Sequence, residues 1–96
     1  MYFCELCDYS TLNKQEMDFH HIVPKELEGS DNLFNRVWLC ARCHRKVYVE
    51  GSMSGIHSTK NNDSIVIKGW FNSTEGKLLL IITPEGIEKY IDMKNL

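Results

Sequence analysis

The segments Cys4–Cys7 (CELC) and Cys40–Cys43 (CARC) are two Cys-x-x-Cys pairs at either end of the first half of the chain. A gap of two residues lets two thiolates close on one ion, and two such pairs complete a tetrahedral zinc site. We therefore predict that Cys4, Cys7, Cys40 and Cys43 hold one structural zinc rather than forming disulfides or a redox pair. A site with four protein ligands is closed, so this zinc would stabilise the fold and carry out no chemistry.

The composition limits the size and class of the protein. The 96 residues are 43% apolar, 25% charged and 10% aromatic, which fits one small domain or a motif with an extension. Eleven Lys and Arg against thirteen Asp and Glu give a net charge of -2, which excludes a uniformly basic nucleic-acid coat. The sequence has neither the ~20-residue apolar run of a membrane span nor a signal-peptide pattern. We expect a cytoplasmic protein with no membrane partner.

The composition changes near residue 50. All cysteines and arginines lie in residues 1–50, whereas residues 51–96 begin with the Gly/Ser-rich segment 51–55 and continue with apolar, strand-like runs. We predict a metal-binding motif over residues 1–50 and a C-terminal β extension over residues 51–96. The extension would pack on the motif or mediate oligomerisation. A core this small needs every large side chain, and the residues expected in it are Phe19, Trp38, Leu39, Val47 and Trp70.

The first half predicts two strands and one helix. Residues 17–23 are rich in aromatic and branched side chains and are followed by Pro24, which ends a strand, and residues 36–39 form the second strand. Residues 41 to about 49 sort by helical projection into an inner and an outer face. The inner face carries Cys40, Cys43, His44 and Val47, and the outer face carries Arg42, Arg45 and Lys46.

The second half predicts an antiparallel sheet. Residues 64–71 and 78–83 are apolar runs, and the polar stretch between them indicates a hairpin with a longer loop. The turn residues 84–86 allow residues 87–91 to return as a third strand. A short helix over residues 87–93 is the alternative.

Histidines supply the candidate chemistry. His20 and His21 are adjacent, Asn35 follows, and His44 comes directly after the second cysteine pair. Two neutral imidazoles can hold a divalent ion with open positions for water and phosphate oxygens, and a third can act as a general base. We interpret His57 as an ordinary surface or core histidine.

The run from His20-His21-Ile22-Val23-Pro24 through the segment 39–44 (LCARCH) resembles the HNH endonucleases, also called ββα-metal or His-Me finger nucleases. The closest pattern is the subgroup that frames its motif with two cysteine knuckles, and the resemblance covers Cys4 to about Tyr48. It implies an α+β fold, a small zinc-stapled ββα-metal finger followed by the C-terminal antiparallel β extension.

The resemblance also implies the role of each residue. His20 and His44 match ligands of a catalytic Mg²⁺, Mn²⁺ or other divalent ion, His21 matches the general base, and Asn35 matches the residue that ties down the loop bearing the base. Some family members carry a further histidine ligand four residues beyond the helix histidine, where this chain has Tyr48. The implied reaction is hydrolysis of DNA phosphodiester bonds, by nicking or double-strand cleavage.

The substrate and partner expectations follow from charge and from the resemblance. The candidate phosphate contacts are Arg36, Arg42, Arg45 and Lys46, with Lys25 extending the patch. DNA is the expected substrate, with RNA left open. Double-strand cleavage would need a homodimer, two visits or a partner protein. Analogy with stand-alone chains of this size indicates a bacterial cell or a phage-infected host.

Asp18 has two interpretations. Asp18 is interpreted as a solvated strand residue rather than as the partner of an imidazole.

The alternative function is a non-catalytic zinc-finger module that binds nucleic acid or protein. The acidic balance favours this module, because unspecific DNA affinity rises with the number of phosphates neutralised. The adjacent pair His20 and His21 disfavours it.

Overall fold

Two antiparallel hairpins form the first half of the chain. Strand β1 (Tyr2–Phe3) pairs with β2 (Ser10–Thr11), and β3 (Met17–His21) pairs with β4 (Arg36–Cys40). The structure is a computed structural model that describes residues 1–23, 27–30, 32–52, 55–74 and 76–95. The expectations for Pro24, for Lys25 and for residues 53–54 of the Gly/Ser-rich segment lie outside these residues.

The hairpin of β3 and β4 carries most of the chemistry. Its register runs from Met17 opposite Cys40 to His21 opposite Arg36, so the two predicted strands are confirmed. Strand β3 ends two residues earlier than predicted. The backbone N–H of Val23 donates to the side chain of Asn35, and the backbone carbonyl of Val23 accepts from it. Neither group is therefore available to a strand partner.

The predicted helix is shorter than expected. Helix α1 covers Ala41–His44, and the prediction that it continues to about residue 49 is wrong. Val47 instead forms a parallel bridge with Ile65, and the backbone N–H of Tyr48 donates to the carbonyl of Ile65 at 2.9 Å. Branched and aromatic residues at 47–49 favour this extended pairing over a further helical turn.

In the described ranges no helix is both long and apolar enough to cross a membrane.

The second half forms one three-stranded antiparallel sheet in the order β5 (Val66–Ser73), β6 (Gly76–Ile82) and β7 (Glu88–Asp92). The prediction of a longer hairpin loop is wrong, because Ser73 and Gly76 pair directly and leave only residues 74–75 between the strands. Gly76 has a φ of 127°, which a residue with a side chain rarely adopts. The third strand is confirmed and the C-terminal helix is excluded. The chain thus has an α+β fold dominated by strands.

The core draws on both halves of the chain. Its large buried side chains include Val37, Leu39 and Val47 from the first half and Ile67, Leu79 and Ile81 from the second. The indole N–H of Trp70 donates to the carbonyl of Arg36 at 3.1 Å and so fastens β5 to β4. The expectation for Leu39 and Val47 is confirmed, and Trp38 and Trp70 pack against this core half-buried. The expectation for Phe19 is wrong, since this ring is 39% exposed.

Candidate metal centres

The four cysteines converge on one point. Their sulfur atoms all lie within 4.8 Å of one another, and the Sγ atoms of Cys7 and Cys40 are 3.7 Å apart, too far for a disulfide. Cys4 and Cys7 come from the turn after β1, whereas Cys40 and Cys43 come from the junction of β4 and α1. Four thiols at this spacing fit a structural metal such as zinc.

The surroundings of the sulfur atoms suit a bound cation. Burial raises the pKa of Cys4 and of Cys43, so these thiols ionise readily only beside a positive charge. The backbone N–H of Tyr9 lies 3.4 Å from the Cys7 sulfur and the backbone N–H of Cys4 donates to the carbonyl of Tyr9 at 2.9 Å, which fixes the first knuckle. Zinc supplies the missing charge and would hold the four as thiolates.

A second cluster consists of three histidines. One ligand nitrogen from each of His20, His44 and His57 lies within 4.8 Å of the others. His20 is 2% exposed, and its Nε2 atom has no hydrogen-bond partner among the described residues. Burial, followed by the nearby His57, His44 and His21, lowers the pKa of His20 to about 3. A neutral buried imidazole with an unsatisfied nitrogen is costly unless that nitrogen binds something.

Hydrogen-bond partners fix the tautomers of the other two rings. Nδ1 of His57 lies 2.8 Å from the carbonyl oxygen of Val47, which only accepts, so Nδ1 carries the proton. Nδ1 of His44 lies 3.1 Å from a carboxylate oxygen of Asp18 and likewise donates. In both rings Nε2 is then the bare nitrogen that is available to a metal. The interpretation of Asp18 as merely solvated is wrong, because its carboxylate orients His44.

The two bare nitrogens face each other. Nε2 of His44 and Nε2 of His57 are 3.1 Å apart, and two lone pairs at that distance repel unless a cation lies beside both. Burial lowers the pKa of His44, only partly offset by the hydrogen bond to Asp18, so a shared proton is disfavoured. The donor set of three imidazoles suits a divalent transition metal. The residues therefore fit a metal ion.

His57 is the member of this cluster that the sequence interpretation missed. It lies on a short 3-10 turn, Ile56–Ser58, that follows the Gly/Ser-rich segment. A signal existed, because Tyr48 occupies the position of a further helix ligand and leaves the set of ligands incomplete. A histidine only nine positions later was available to complete it. The sequence alone does not reveal that the chain folds back at this point.

Asn35 fastens the segment that follows His21. Its side-chain oxygen accepts from the backbone N–H of Val23 at 2.8 Å, and its side-chain nitrogen donates to the carbonyls of Val23 at 3.0 Å and Ser30 at 2.7 Å. The backbone N–H of Ile22 donates to the carbonyl of Asn35 at 2.8 Å. Three of these four bonds hold the chain directly after His21, which is the final residue of β3, and the fourth holds Ser30.

The basic residues are distributed over two regions rather than along one long helical face. Arg42, Arg45 and Lys46 are exposed on and just after the single turn of α1. The guanidinium of Arg42 lies beside the Cys7 sulfur, and this hydrogen bond raises its pKa. Arg36 lies at the other end of β4, with its guanidinium carbon 4.8 Å from the centre of the Phe19 ring.

The comparisons with known proteins concern the part of the chain that contains both cysteine knuckles. Residues 4–50 match the HNH endonuclease family, and this range includes His20, His21, Asn35 and His44 but not His57. No curated protein and no solved structure matches the chain. Residues 4–50, which are 47 of the 96 residues, are thus similar to the HNH endonuclease family.

Proposed function

We propose that this chain is a metal-dependent endonuclease that hydrolyses DNA phosphodiester bonds. The observation that carries the proposal is the convergence of three imidazoles. The Nε2 atoms of His44 and His57 are only 3.1 Å apart, and that of His20 is buried with no partner in the part of the chain that the structure describes. A purely structural zinc finger needs the four cysteines but has no use for a second, histidine-lined centre. The match of residues 4–50 to the HNH endonuclease family suggests the reaction class.

The roles of the residues follow from their partners. His20, His44 and His57 would hold the catalytic divalent ion, which, when bound, would offset the negative charge that develops on the phosphate oxygens. Asp18 and the carbonyl of Val47 keep His44 and His57 in the tautomer with a bare Nε2. The cysteine centre would hold a structural zinc.

His21 would act as the general base. It directly follows the ligand His20, and it takes a proton from the attacking water as its imidazole becomes positively charged. Asn35 fixes the backbone of Val23, two residues later, and thereby limits the positions available to His21. Arg36, Arg42, Arg45 and Lys46 would contact phosphates on either side of the scissile bond. One such site cuts one strand per visit, so double-strand cleavage would need two visits, a second copy or a partner.

A plasmid-nicking assay tests the proposal. Zinc-loaded protein is incubated with supercoiled DNA in Mg²⁺, Mn²⁺, Ni²⁺ or EDTA, together with the variants His21→Ala and Tyr90→Ala. Tyr90 is an exposed ring on β7 and serves as the control. We expect nicked DNA from wild type and Tyr90→Ala with at least one metal, and none from His21→Ala or in EDTA. DNA binding without metal-dependent nicking would favour the non-catalytic zinc module instead.

A further inference from the structure

A concave cleft of about 200 Å³ lies between the β3–β4 hairpin and the C-terminal sheet. Four aromatic rings line it, those of Phe19, Phe34, Trp38 and Trp70. Phe34 is 50% exposed and Phe19 is 39% exposed. Single exposed apolar residues are ordinary, but several aromatic rings grouped in one concavity are typical of a binding surface.

Three of the four rings, those of Phe19, Trp38 and Trp70, are held in place before any ligand arrives. The centroids of Phe19 and Trp38, which are direct cross-strand neighbours, are 3.6 Å apart with an interplanar angle of 29°. Trp70, on the opposite wall, is fixed by the hydrogen bond from its indole N–H to the carbonyl of Arg36. A preformed aromatic wall loses little conformational entropy when a flat ligand stacks on it.

The charges of the cleft restrict the nature of the ligand. The guanidinium of Arg36 lies over the Phe19 ring, and the ammonium of Lys77 lies 3.9 Å from the centre of the Phe34 ring. The described lining residues include these two cations and no carboxylate. A ligand that matches both features has a flat π-face and a negative charge. A nucleotide offers both, through its base and its phosphate.

The cleft adjoins the proposed general base, His21. Phe19 directly precedes His20, and Arg36 is the cross-strand partner of His21. Phe19 and His21 are two residues apart on one strand, which corresponds to about 7 Å along an extended chain. A base stacked in the cleft would therefore bring an adjoining phosphate of the same strand towards His21.

We propose that this cleft holds an unpaired nucleobase, so that the preferred substrate is single-stranded or locally unpaired DNA. The inference rests on the proposed function, since it names the class of DNA on which that site acts. A base inside an intact duplex is stacked and paired, and it reaches such a cleft only after extrusion. Single-stranded DNA requires no extrusion and binds with both base and backbone exposed.

Binding measurements test the inference separately from cleavage. Fluorescence anisotropy is recorded with zinc-loaded protein, no other divalent ion, and either a labelled oligodeoxythymidylate or a labelled blunt duplex of equal length. The variants are Phe34→Ala, Lys77→Met and the control Phe71→Ala. Phe71 is an exposed phenylalanine, 47% accessible, that contacts Tyr90 on the C-terminal sheet and does not line the cleft.

We expect wild type to prefer the single strand and Phe34→Ala to weaken that binding by about 5- to 150-fold, the range for one lost stacking contact. Lys77→Met should weaken it and lower the salt dependence by about one unit of slope. Phe71→Ala should bind as wild type does. The inference is overturned if Phe34→Ala binds the single strand unchanged, or if the duplex is preferred, even where plasmid nicking succeeds. Stacking-dependent binding by a protein that nicks no DNA would support the cleft while refuting the proposed function.

Discussion

The orientation of single side chains determines whether three histidines can serve one ion. His44 and His57 each donate from Nδ1, to Asp18 and to the carbonyl of Val47, so their Nε2 atoms point inwards without protons. Carboxylates and carbonyls in this position raise the basicity of a ligating imidazole and hold its ring still. Asp18 therefore supports the candidate centre through His44 without being one of its three grouped ligands.

Replacing Asp18 tests this role. Asp18→Asn should lower the affinity for Mn²⁺ or Ni²⁺ by about 10- to 100-fold, the usual effect of losing the partner of a ligating histidine. Isothermal titration on protein whose cysteine centre already holds zinc measures the change. Asp92→Asn, which alters an exposed residue of β7, is the matched control. An unchanged affinity in Asp18→Asn would show that the carboxylate has no influence on the centre.

The length of one element explains how His57, rather than Tyr48, comes to complete the three-histidine cluster. Because α1 ends at His44, Tyr48 is not one helical turn further on the same face, and its backbone N–H is bonded to Ile65 instead. A histidine at position 48 would therefore not reach the candidate ion site. It would reach that site only if α1 continued for a further turn. The 3-10 turn Ile56–Ser58 supplies the third imidazole from a later part of the chain.

This geometry predicts that position 48 does not substitute for position 57. His57→Ala should weaken binding of the catalytic ion and abolish metal-dependent nicking, while the zinc content stays at one per chain. The double variant His57→Ala/Tyr48→His should remain inactive, because the new imidazole is attached to extended backbone. Zinc analysis and titration with Mn²⁺ measure both effects. Restored activity in the double variant would contradict the assignment of His57 and the shortness of α1.

The sequence predicted those elements that local patterns control. Residue spacing, alternation and turn residues were enough to predict four features. These are the two cysteine pairs, the strands β3 and β4, the turn at Thr83 to Gly86, and the third strand of the sheet. The length of α1 was not predictable in this way, because Val47 leaves helical geometry to pair with Ile65, a contact between distant residues. His57 was missed for the same reason. Its approach to His20 is a tertiary contact without a local signature.

At the scale of the whole molecule, the two halves share one core and one candidate metal centre. Leu79 and Ile81 of the C-terminal sheet pack with Val37 and Leu39 of the hairpin, and His57 reaches back to His20. Residues 51–96 therefore contribute to both stability and the site. Because the shared core is small, we expect a metal at the cysteine centre to supply a large fraction of the total stability.

Removing one cysteine tests this dependence. Cys40→Ser should unfold the protein, because zinc binding in small finger peptides is worth about 10–16 kcal/mol at neutral pH and domains of this kind are stable by only about 5–15 kcal/mol. Circular dichroism and zinc analysis provide the measurement. The control Ala41→Ser changes the adjacent exposed residue and should retain fold and zinc. A folded, zinc-free Cys40→Ser protein would refute the structural role of the metal.

The contribution of the second half to the core is testable on its own. Leu79 is fully buried, and Leu79→Ala should lower the free energy of unfolding by about 2–5 kcal/mol through lost burial and a cavity. Urea unfolding of the zinc-loaded protein measures the loss. Ile87→Ala, at an exposed position, should change stability by less than about 0.5 kcal/mol. If Leu79→Ala lowered the free energy of unfolding by as little as Ile87→Ala, the sheet would contribute little to the stability of the fold.

Cys43 and His44 are consecutive residues on the single turn of α1, and each belongs to a different centre. An ion that ordered this turn from one centre would leave less disorder for a second ion to remove, so we expect occupancy of the two centres to be cooperative. By thermodynamic reciprocity, the factor by which zinc raises the affinity for the catalytic ion equals the factor by which that ion raises the affinity for zinc. Under the proposed function, loss of zinc or oxidation of the cysteines would therefore weaken the binding of the catalytic ion by His44 through this shared turn, without any contact with DNA.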